Sequence, residues 1–233
     1  MTDTEIIIAE LSALGGEEKA RHLARFFKTG KGQYGEGDRF LGLPVPLTRG
    51  VARRHKDASL AAVEALLQSE WHEARLCALL IMAEKMKRAT AEEAGLIYKT
   101  YLANTRCINN WDLVDLSAPH VVGKYLADKP RGVLYELAAS PLLWDNRIAI
   151  VSTFAFIKAK DLDDTFRLAL LLMNHTHDLM HKAVGWMLRE AGKRDMARLR
   201  AFVYEHVHRM PRTMLRYAIE KFPEDERRAV LKM

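Results

Sequence analysis

The chain has 233 residues, of which 49% are hydrophobic and 28% are charged. This balance excludes an intrinsically disordered chain and is sufficient for one full-sized globular domain, which we expect to span residues 1–233. Two cysteines, Cys77 and Cys107, are too few for a disulfide framework and lack the spacing of a zinc site. The acidic first residues and the absence of a long apolar run predict a cytoplasmic protein.

The formal net charge of +6 is concentrated at one end of the sequence. Residues 180–233 contain 13 Lys and Arg against 7 Asp and Glu, whereas residues 1–179 contain 23 of each class. A local basic excess is typical of a protein that binds a polyanion, and an ordinary solvated surface can have the same composition. Nucleic acid is therefore a candidate partner.

Apolar residues recur every three or four positions in nearly every segment, which predicts helices throughout the chain. No segment shows the period-two alternation of a strand. The irregular stretch 29–46 has five Gly and two Pro but lacks the sequence of a phosphate-binding loop, so we interpret it as a structural connector. The predicted helices cover residues 4–14, 17–28, 47–56, 59–67, 70–86, 90–102, 111–127, 130–139, 142–159, 161–173, 177–192, 195–208, 211–222 and 223–232.

These helices are joined by short turns, and a helix pair recurs about every 35–45 residues. That period favours an all-α superhelix of HEAT-like repeats, in which each pair packs on its neighbours, over a four-helix bundle. A stack of this kind curves and leaves a concave surface. We expect that surface to be a groove that binds DNA.

The string NNWDLVD at 109–115 opens the central predicted helix. Asn109 or Asn110 is suited to the N-cap, and Asp112 falls in the first turn, where a carboxylate stabilises a helix by roughly 0.3–1 kcal/mol. Trp111 and Asp115 are four residues apart and therefore share one helix face. A half-buried Trp beside a solvated acid would give the same pattern, so spacing alone leaves a structural role open.

Two later strings add candidate residues. LLWDNRIAI at 142–150 places Arg147 at the head of an apolar helix, and KAVGWMLRE at 182–190 places Trp186 directly after a glycine. Trp111, Arg147 and Trp186 are separated by 36 and 39 residues, about one predicted repeat each. We therefore expect Trp111, Arg147 and Trp186 to occupy equivalent positions on successive repeats. Together with Asp115, they should converge on one wall of the groove.

With GDRFLGLPVP at 37–46, the three strings form an ordered series that resembles the AlkD-type DNA alkylation repair enzymes over nearly the whole chain. That family consists of HEAT-like DNA glycosylases that remove alkylated purines. The resemblance implies that Trp111, Asp115, Arg147 and Trp186 form the site and that a base-holding pocket is not needed. The expected partner is double-stranded DNA carrying alkylated purines, and we expect a monomer without metal or cofactor.

The chemistry can operate with one carboxylate. Glycoside hydrolysis generally uses two, one of them as the acid for the leaving group. A purine alkylated at N3 or N7 is already a cation and departs as a neutral base, so Asp115 is needed only to stabilise the oxocarbenium-like sugar and to orient water. Trp111 and Trp186 would offer π faces to the cation, and Arg147 would hold a phosphate beside the lesion.

The sequence also contains candidate DNA contacts outside these four residues. Lys182 and Arg189 are candidate DNA contacts in the third string. The family can carry a Tyr on its second helix near the lesion, whereas this chain has Phe26 there, and Tyr34 of the connector is a candidate replacement. The rival interpretation is a non-catalytic HEAT-like module that binds DNA or protein. Asp115 weighs against it, because an acid that faces phosphates only weakens simple DNA binding.

Overall fold

The computed structural model describes every residue from Met1 to Met233. It consists of helices, turns and one isolated β-bridge between Arg39 and Trp71, so the all-α prediction is confirmed. None of its helices combines the length and the apolar composition needed to cross a membrane. The chain forms two compact units, Met1–Tyr125 and Leu126–Met233, and the expectation of one domain over residues 1–233 stays a prediction.

The N-terminal unit is built around one buried helix, α5. Thirteen of the fifteen residues of α5 are buried, as expected for a helix that is surrounded on all sides. It contacts α1, α3, α4, α6 and α7. The helices of this unit are α1 (Asp3–Leu14), α2 (Glu17–Phe26), α3 (Val45–Arg54), α4 (Leu60–Leu67), α5 (His72–Met86), α6 (Ala91–Ala103) and α7 (Trp111–Asp115).

The connector between α2 and α3 is docked on the start of α5. The buried carboxylate of Glu73 accepts hydrogen bonds from the amides of Leu41, Gly42 and Leu43, at 2.9, 2.8 and 3.0 Å. Gly42 has a φ of +92°, and a Cβ at this position would lie 2.2 Å from the carbonyl oxygen of Gly16. A glycine is therefore required for the close approach, and the connector has a structural role.

The C-terminal unit is centred on α12, which contacts α9, α10, α11, α13 and α14. His175 and His177 accept hydrogen bonds from backbone amides at the start of α12, at 3.0 and 3.1 Å, and so act as caps there. The helices of this unit are α8 (Gly132–Ala138), α9 (Leu143–Ser152), α10 (Phe154–Lys158), α11 (Asp163–Leu171), α12 (Asp178–Gly192), α13 (Met196–His206), α14 (Arg212–Ala218) and α15 (Glu224–Lys232).

The prediction of one continuous central helix, 111–127, is wrong. The α-helix ends at Asp115, and the segment Pro119–Gly123 forms a short, wider π-helix. Pro119 has no N–H to donate to the carbonyl of Asp115. The Ser117 hydroxyl also donates to the carbonyl of Leu113 at 2.5 Å. Both effects remove the regular ladder, so α7 is a single short helix.

The prediction of one helix over 142–159 is also wrong, because the α-helix is interrupted at Thr153, which separates α9 from α10. The Ser152 hydroxyl donates to the carbonyl of Ile148 at 2.6 Å, and the Thr153 hydroxyl donates to the carbonyl of Ile150 at 2.7 Å. Hydroxyl groups that bond back to the preceding turn in this way bend helices.

Candidate functional site

The short helix α7 presents Trp111 and Asp115 on the same face. Both residues are half-buried, whereas residues 112–114 between them are buried. The side-chain oxygen of Asn110 accepts a hydrogen bond from the amide of Trp111 at 2.9 Å, so Asn110 is the N-cap. The indole and the carboxylate of Asp115 are therefore one helical turn apart on the half-buried face of α7, as the spacing predicts.

A column of stacked rings supports the indole. Trp111 stacks on Phe27, with ring centroids 5.3 Å apart and an interplanar angle of 26°. Phe27 stacks on Phe40 at 5.2 Å, and Phe40 stacks on the imidazole of His72 at 4.5 Å. Phe26, which is 56% exposed, packs its ring against Trp111 at an angle of 69°. Stacked and tilted aromatic contacts of this kind fix ring orientation as well as burying area.

A cavity of about 380 Å³ lies beside this column, within the N-terminal unit. Its wall includes Phe26, Phe40, Trp111 and the carboxylate-bearing Asp115. Aromatic faces next to a carboxylate favour a flat, positively charged group over a neutral or anionic one. The site can therefore stabilise positive charge on a ring system or on a sugar.

A buried charged cluster, here called the His72 network, lies beneath α7 and consists of Asp38, His72, Arg75 and Asp112. His72 bridges two carboxylates, with Nδ1 3.1 Å from Asp38 Oδ2 and Nε2 2.9 Å from Asp112 Oδ2. Arg75 donates from Nη2 to the other oxygen of Asp38 at 2.6 Å. The four side chains are between 2% and 7% exposed. Burial of this kind requires that the charges neutralise one another.

The same network holds the start of α7. Asp38 also accepts hydrogen bonds from the side-chain Nδ2 groups of Asn109 and Asn110, at 3.0 and 3.4 Å. Asp112 accepts a hydrogen bond from the amide of Leu113 at 2.9 Å through the oxygen that does not face His72. The first-turn position expected for Asp112 is confirmed, but a minor helix-dipole role is wrong, because the side chain is half of a buried ion pair.

Protonation follows from these contacts. Burial alone would lower the pKa of His72, but the charge of Asp112 and hydrogen bonds to Asp112 and Asp38 raise that pKa to about 9. Burial alone would raise the pKa of Asp38, but the hydrogen bond from His72 and the charge of Arg75 lower it overall. At neutral pH His72 is therefore an imidazolium, and Asp38 faces it as a carboxylate.

Sequence reasoning missed His72, Arg75 and Asp38 as parts of the site. One signal was available: His72, Glu73 and Arg75 are three charged or polar residues at the head of a strongly apolar helix. Such residues are almost never fully buried unless they are paired. Their partners in the connector and in α7 lie 30 to 40 residues away in sequence, so helical periodicity does not reveal them.

Arg147, Lys182, Trp186 and Arg189 belong to the C-terminal unit. Arg147 is buried on α9, and its Nη1 donates to the carbonyl of Leu179, at the start of α12, at 2.6 Å. The expectation that Trp111, Asp115, Arg147 and Trp186 share one groove stays a prediction.

Trp186 is half-buried on α12, and its ring lies 5.8 Å from that of Phe154. The preceding glycine of the KAVGW string has a packing role. A Cβ on Gly185 would lie 2.5 Å from the carbonyl oxygen of Met214 and 2.6 Å from Cβ of Tyr217. Gly185 therefore lets α14 approach α12 closely and leaves Trp186 on a well-packed helix.

Some of the basic side chains of residues 180–233 form ion pairs within the C-terminal unit. Lys182 pairs with Asp178 at 2.8 Å, and Arg189 pairs with Glu220 and with Glu190. Acids that hold these cations compete with phosphates for them. Other cations are exposed and make no ion pair within the chain, among them Arg194, Arg209 and Arg216. They are the part of residues 180–233 that is most available to a polyanion.

Comparison with known proteins shows similarity both in fold and at the level of a sequence family. A solved structure described as a predicted DNA alkylation repair enzyme from Enterococcus faecalis has a similar fold, with a TM-score of 0.69 and 18% sequence identity, covering 90% of this chain and 97% of that chain. No curated protein sequence matches the chain. The family described as DNA alkylation repair enzyme matches residues 7–222. The chain therefore belongs to the DNA alkylation repair enzyme family.

Proposed function

We propose that the protein is a DNA glycosylase that releases purines alkylated at N3 or N7 from double-stranded DNA in base excision repair. The observation that carries this proposal is the placement of Trp111 and half-buried Asp115 on one face of α7, at the wall of the aromatic-lined cavity. A carboxylate fixed beside aromatic faces stabilises a developing cation. Membership of the family supports a role in alkylation repair.

The reaction breaks the bond between C1′ of deoxyribose and the purine nitrogen, and both bonding electrons go to the base. Because alkylation at N3 or N7 has already given the purine a positive charge, the base departs neutral and no general acid is required. The Asp115 carboxylate stabilises the oxocarbenium-like sugar and orients a water molecule. The water oxygen then bonds to C1′ and its proton passes to solvent, which leaves an abasic site.

Other residues have binding roles in this proposal. Trp111 and Trp186 offer π faces to the charged base and to the C–H groups of deoxyribose. Arg147 binds the phosphate beside the lesion, since a guanidinium with several donors suits a phosphate. Further DNA contacts are assigned to Lys182 and Arg189 of the C-terminal unit and to Phe26 and Tyr34 of the N-terminal unit.

The test is release of free base from a duplex that contains N7-methylguanine at one position. The protein in molar excess is incubated with the duplex, and the base is separated from the DNA by chromatography. We expect 7-methylguanine to appear in a single exponential phase that is faster than its spontaneous loss. An abasic site should remain at the position of the methylated base. Duplex binding without base release above the spontaneous rate would instead support the non-catalytic DNA-binding module.

A further inference from the structure

His72 belongs both to the column of stacked rings and to the buried charged network that support α7. Its ring is the last member of the column that leads to Trp111, and its two nitrogens bridge Asp38 and Asp112. We propose that His72, as an imidazolium, is a positioning residue that fixes Trp111 and Asp115 for catalysis. The catalytic consequence rests on the proposed glycosylase function, whereas the placement of Trp111 by His72 does not.

The hydrogen-bond geometry requires the charged form. Carboxylate oxygens only accept hydrogen bonds, and a neutral imidazole has one donating and one accepting nitrogen. Both nitrogens of His72 face carboxylate oxygens, at 3.1 and 2.9 Å, so both have to donate. A neutral His72 would place a nitrogen lone pair against one carboxylate. It would also leave two buried carboxylates with Arg75 as their only cation.

The groups around His72 come from three elements. The connector supplies Asp38, α7 supplies Asp112, and α5 supplies Arg75 and Glu73. Glu73 is occupied by the connector amides, and Asp115 lines the same cavity as His72. The pKa of His72, raised to about 9 by Asp112 and Asp38 against the effect of burial, agrees with the charged form at neutral pH.

Loss of the proton therefore acts on α7 through two routes. The contact with either Asp38 or Asp112 becomes repulsive, and these are the carboxylates that hold Asn109, Asn110 and the first turn of α7. The imidazole also shifts under Phe40 and so disturbs the stack that carries Trp111. Displacements of about 1 Å at a reacting group can cost on the order of 10²-fold in rate.

The first experiment requires no DNA. The indole N–H resonance of Trp111 is identified in a ¹H–¹⁵N spectrum by its loss in Trp111→Phe and is followed from pH 6 to pH 10.5 in the otherwise unaltered protein. We expect it to move with a midpoint near pH 9 and to stay fixed in His72→Gln, whose amide does not titrate. A resonance that moves near pH 6.5, or that moves identically in the His72→Gln variant, would overturn the proposal.

The second experiment measures single-turnover release of 7-methylguanine over the same pH range. We expect His72→Gln to be about 10- to 100-fold slower than the parent at pH 7, with unchanged affinity for undamaged duplex. The parent rate should fall above pH 9, and the variant should lack this fall. Dividing the two rates at each pH removes any titration of the DNA itself. His208→Gln, an exposed histidine in the C-terminal unit, serves as the matched control and should retain the parent profile.

A purely structural role predicts a different pattern, in which the His72→Gln rate falls only in proportion to the unfolded fraction seen by circular dichroism and keeps the parent pH profile. That result would contradict positioning by His72. If the parent itself releases no base, the glycosylase proposal fails, and the Trp111 resonance still decides whether His72 sets the indole.

Discussion

Replacement of Asp115 by Asn is expected to lower the single-turnover rate of 7-methylguanine release by on the order of 10²-fold or more, the scale for loss of one preorganised electrostatic group. The amide keeps the shape of the side chain and removes its charge. Without the anion, nothing on the half-buried face of α7 opposes the positive charge that develops on the sugar. The effect falls on the chemical step, because the carboxylate acts on the transition state rather than on binding.

Affinity for undamaged duplex is expected to stay the same or to increase in Asp115→Asn, since a negative charge near phosphates is removed. The matched control is Glu136→Gln, which removes an exposed carboxylate from α8 in the C-terminal unit. We expect it to leave base release within about twofold of the parent, as for a surface substitution remote from the site. Equal losses of DNA affinity and of rate in Asp115→Asn would instead assign the acid a binding role.

Replacement of Asp112 by Asn has its largest effect on stability. The substitution removes one carboxylate from the buried imidazolium of His72 and leaves that charge with Asp38, which it shares with Arg75. Removing one partner from a buried ion pair costs on the order of 3 kcal/mol or more. For a chain of this size, the loss corresponds to a fall of about 10 °C in the midpoint of thermal unfolding. Glu136→Gln again serves as the control and should unfold with the parent.

The pairing of His72 with Asp112 also makes the stability of the fold depend on pH. The pKa of His72 is about 9 in the folded protein, above its ordinary value of 6.5, so the folded state holds the proton more tightly. The stabilisation is therefore fully present below pH 6.5 and is lost as the pH rises through 9. Its full size corresponds to about 3 kcal/mol. In Asp112→Asn the loss of stability with rising pH should be smaller and centred at lower pH. Identical profiles of unfolding free energy against pH for parent and variant would contradict the pairing of His72 with Asp112.

Much of the fold could be predicted from the sequence because helix periodicity is local. The apolar repeat and its breakers give the bounds of most helices to within a few residues, as for α1 and α12. Two helices were predicted too long, since an apolar repeat continues through Pro119 and Thr153 while the backbone hydrogen bonding does not. The helices are interrupted there because side-chain hydroxyls donate to backbone carbonyls and because Pro119 has no N–H to donate.

The candidate site likewise has a part that local spacing predicts and a part that only the folded chain brings together. Four-residue spacing was sufficient to place Trp111 and Asp115 on one face, because both lie on one helix. The partners of Asp112 could not be predicted, since Asp112 meets His72 across 40 residues of sequence and His72 meets Asp38 across 34. Only the folded connector and α5 bring those groups together. An acid that looks like an ordinary first-turn residue is consequently part of a buried charged network.

The central claim is that one carboxylate suffices because the leaving base is already a cation. Its most direct test is a comparison of two duplexes that are identical except for the purine at one position, N7-methylguanine in one and neutral hypoxanthine in the other. Single-turnover release by the unaltered protein is measured for both under the same conditions. We predict release of 7-methylguanine at least about 100-fold faster than release of hypoxanthine, because the neutral base needs a general acid at its leaving nitrogen and the proposed mechanism assigns that role to no residue. Comparable enzyme-dependent rates for the two purines would contradict the account.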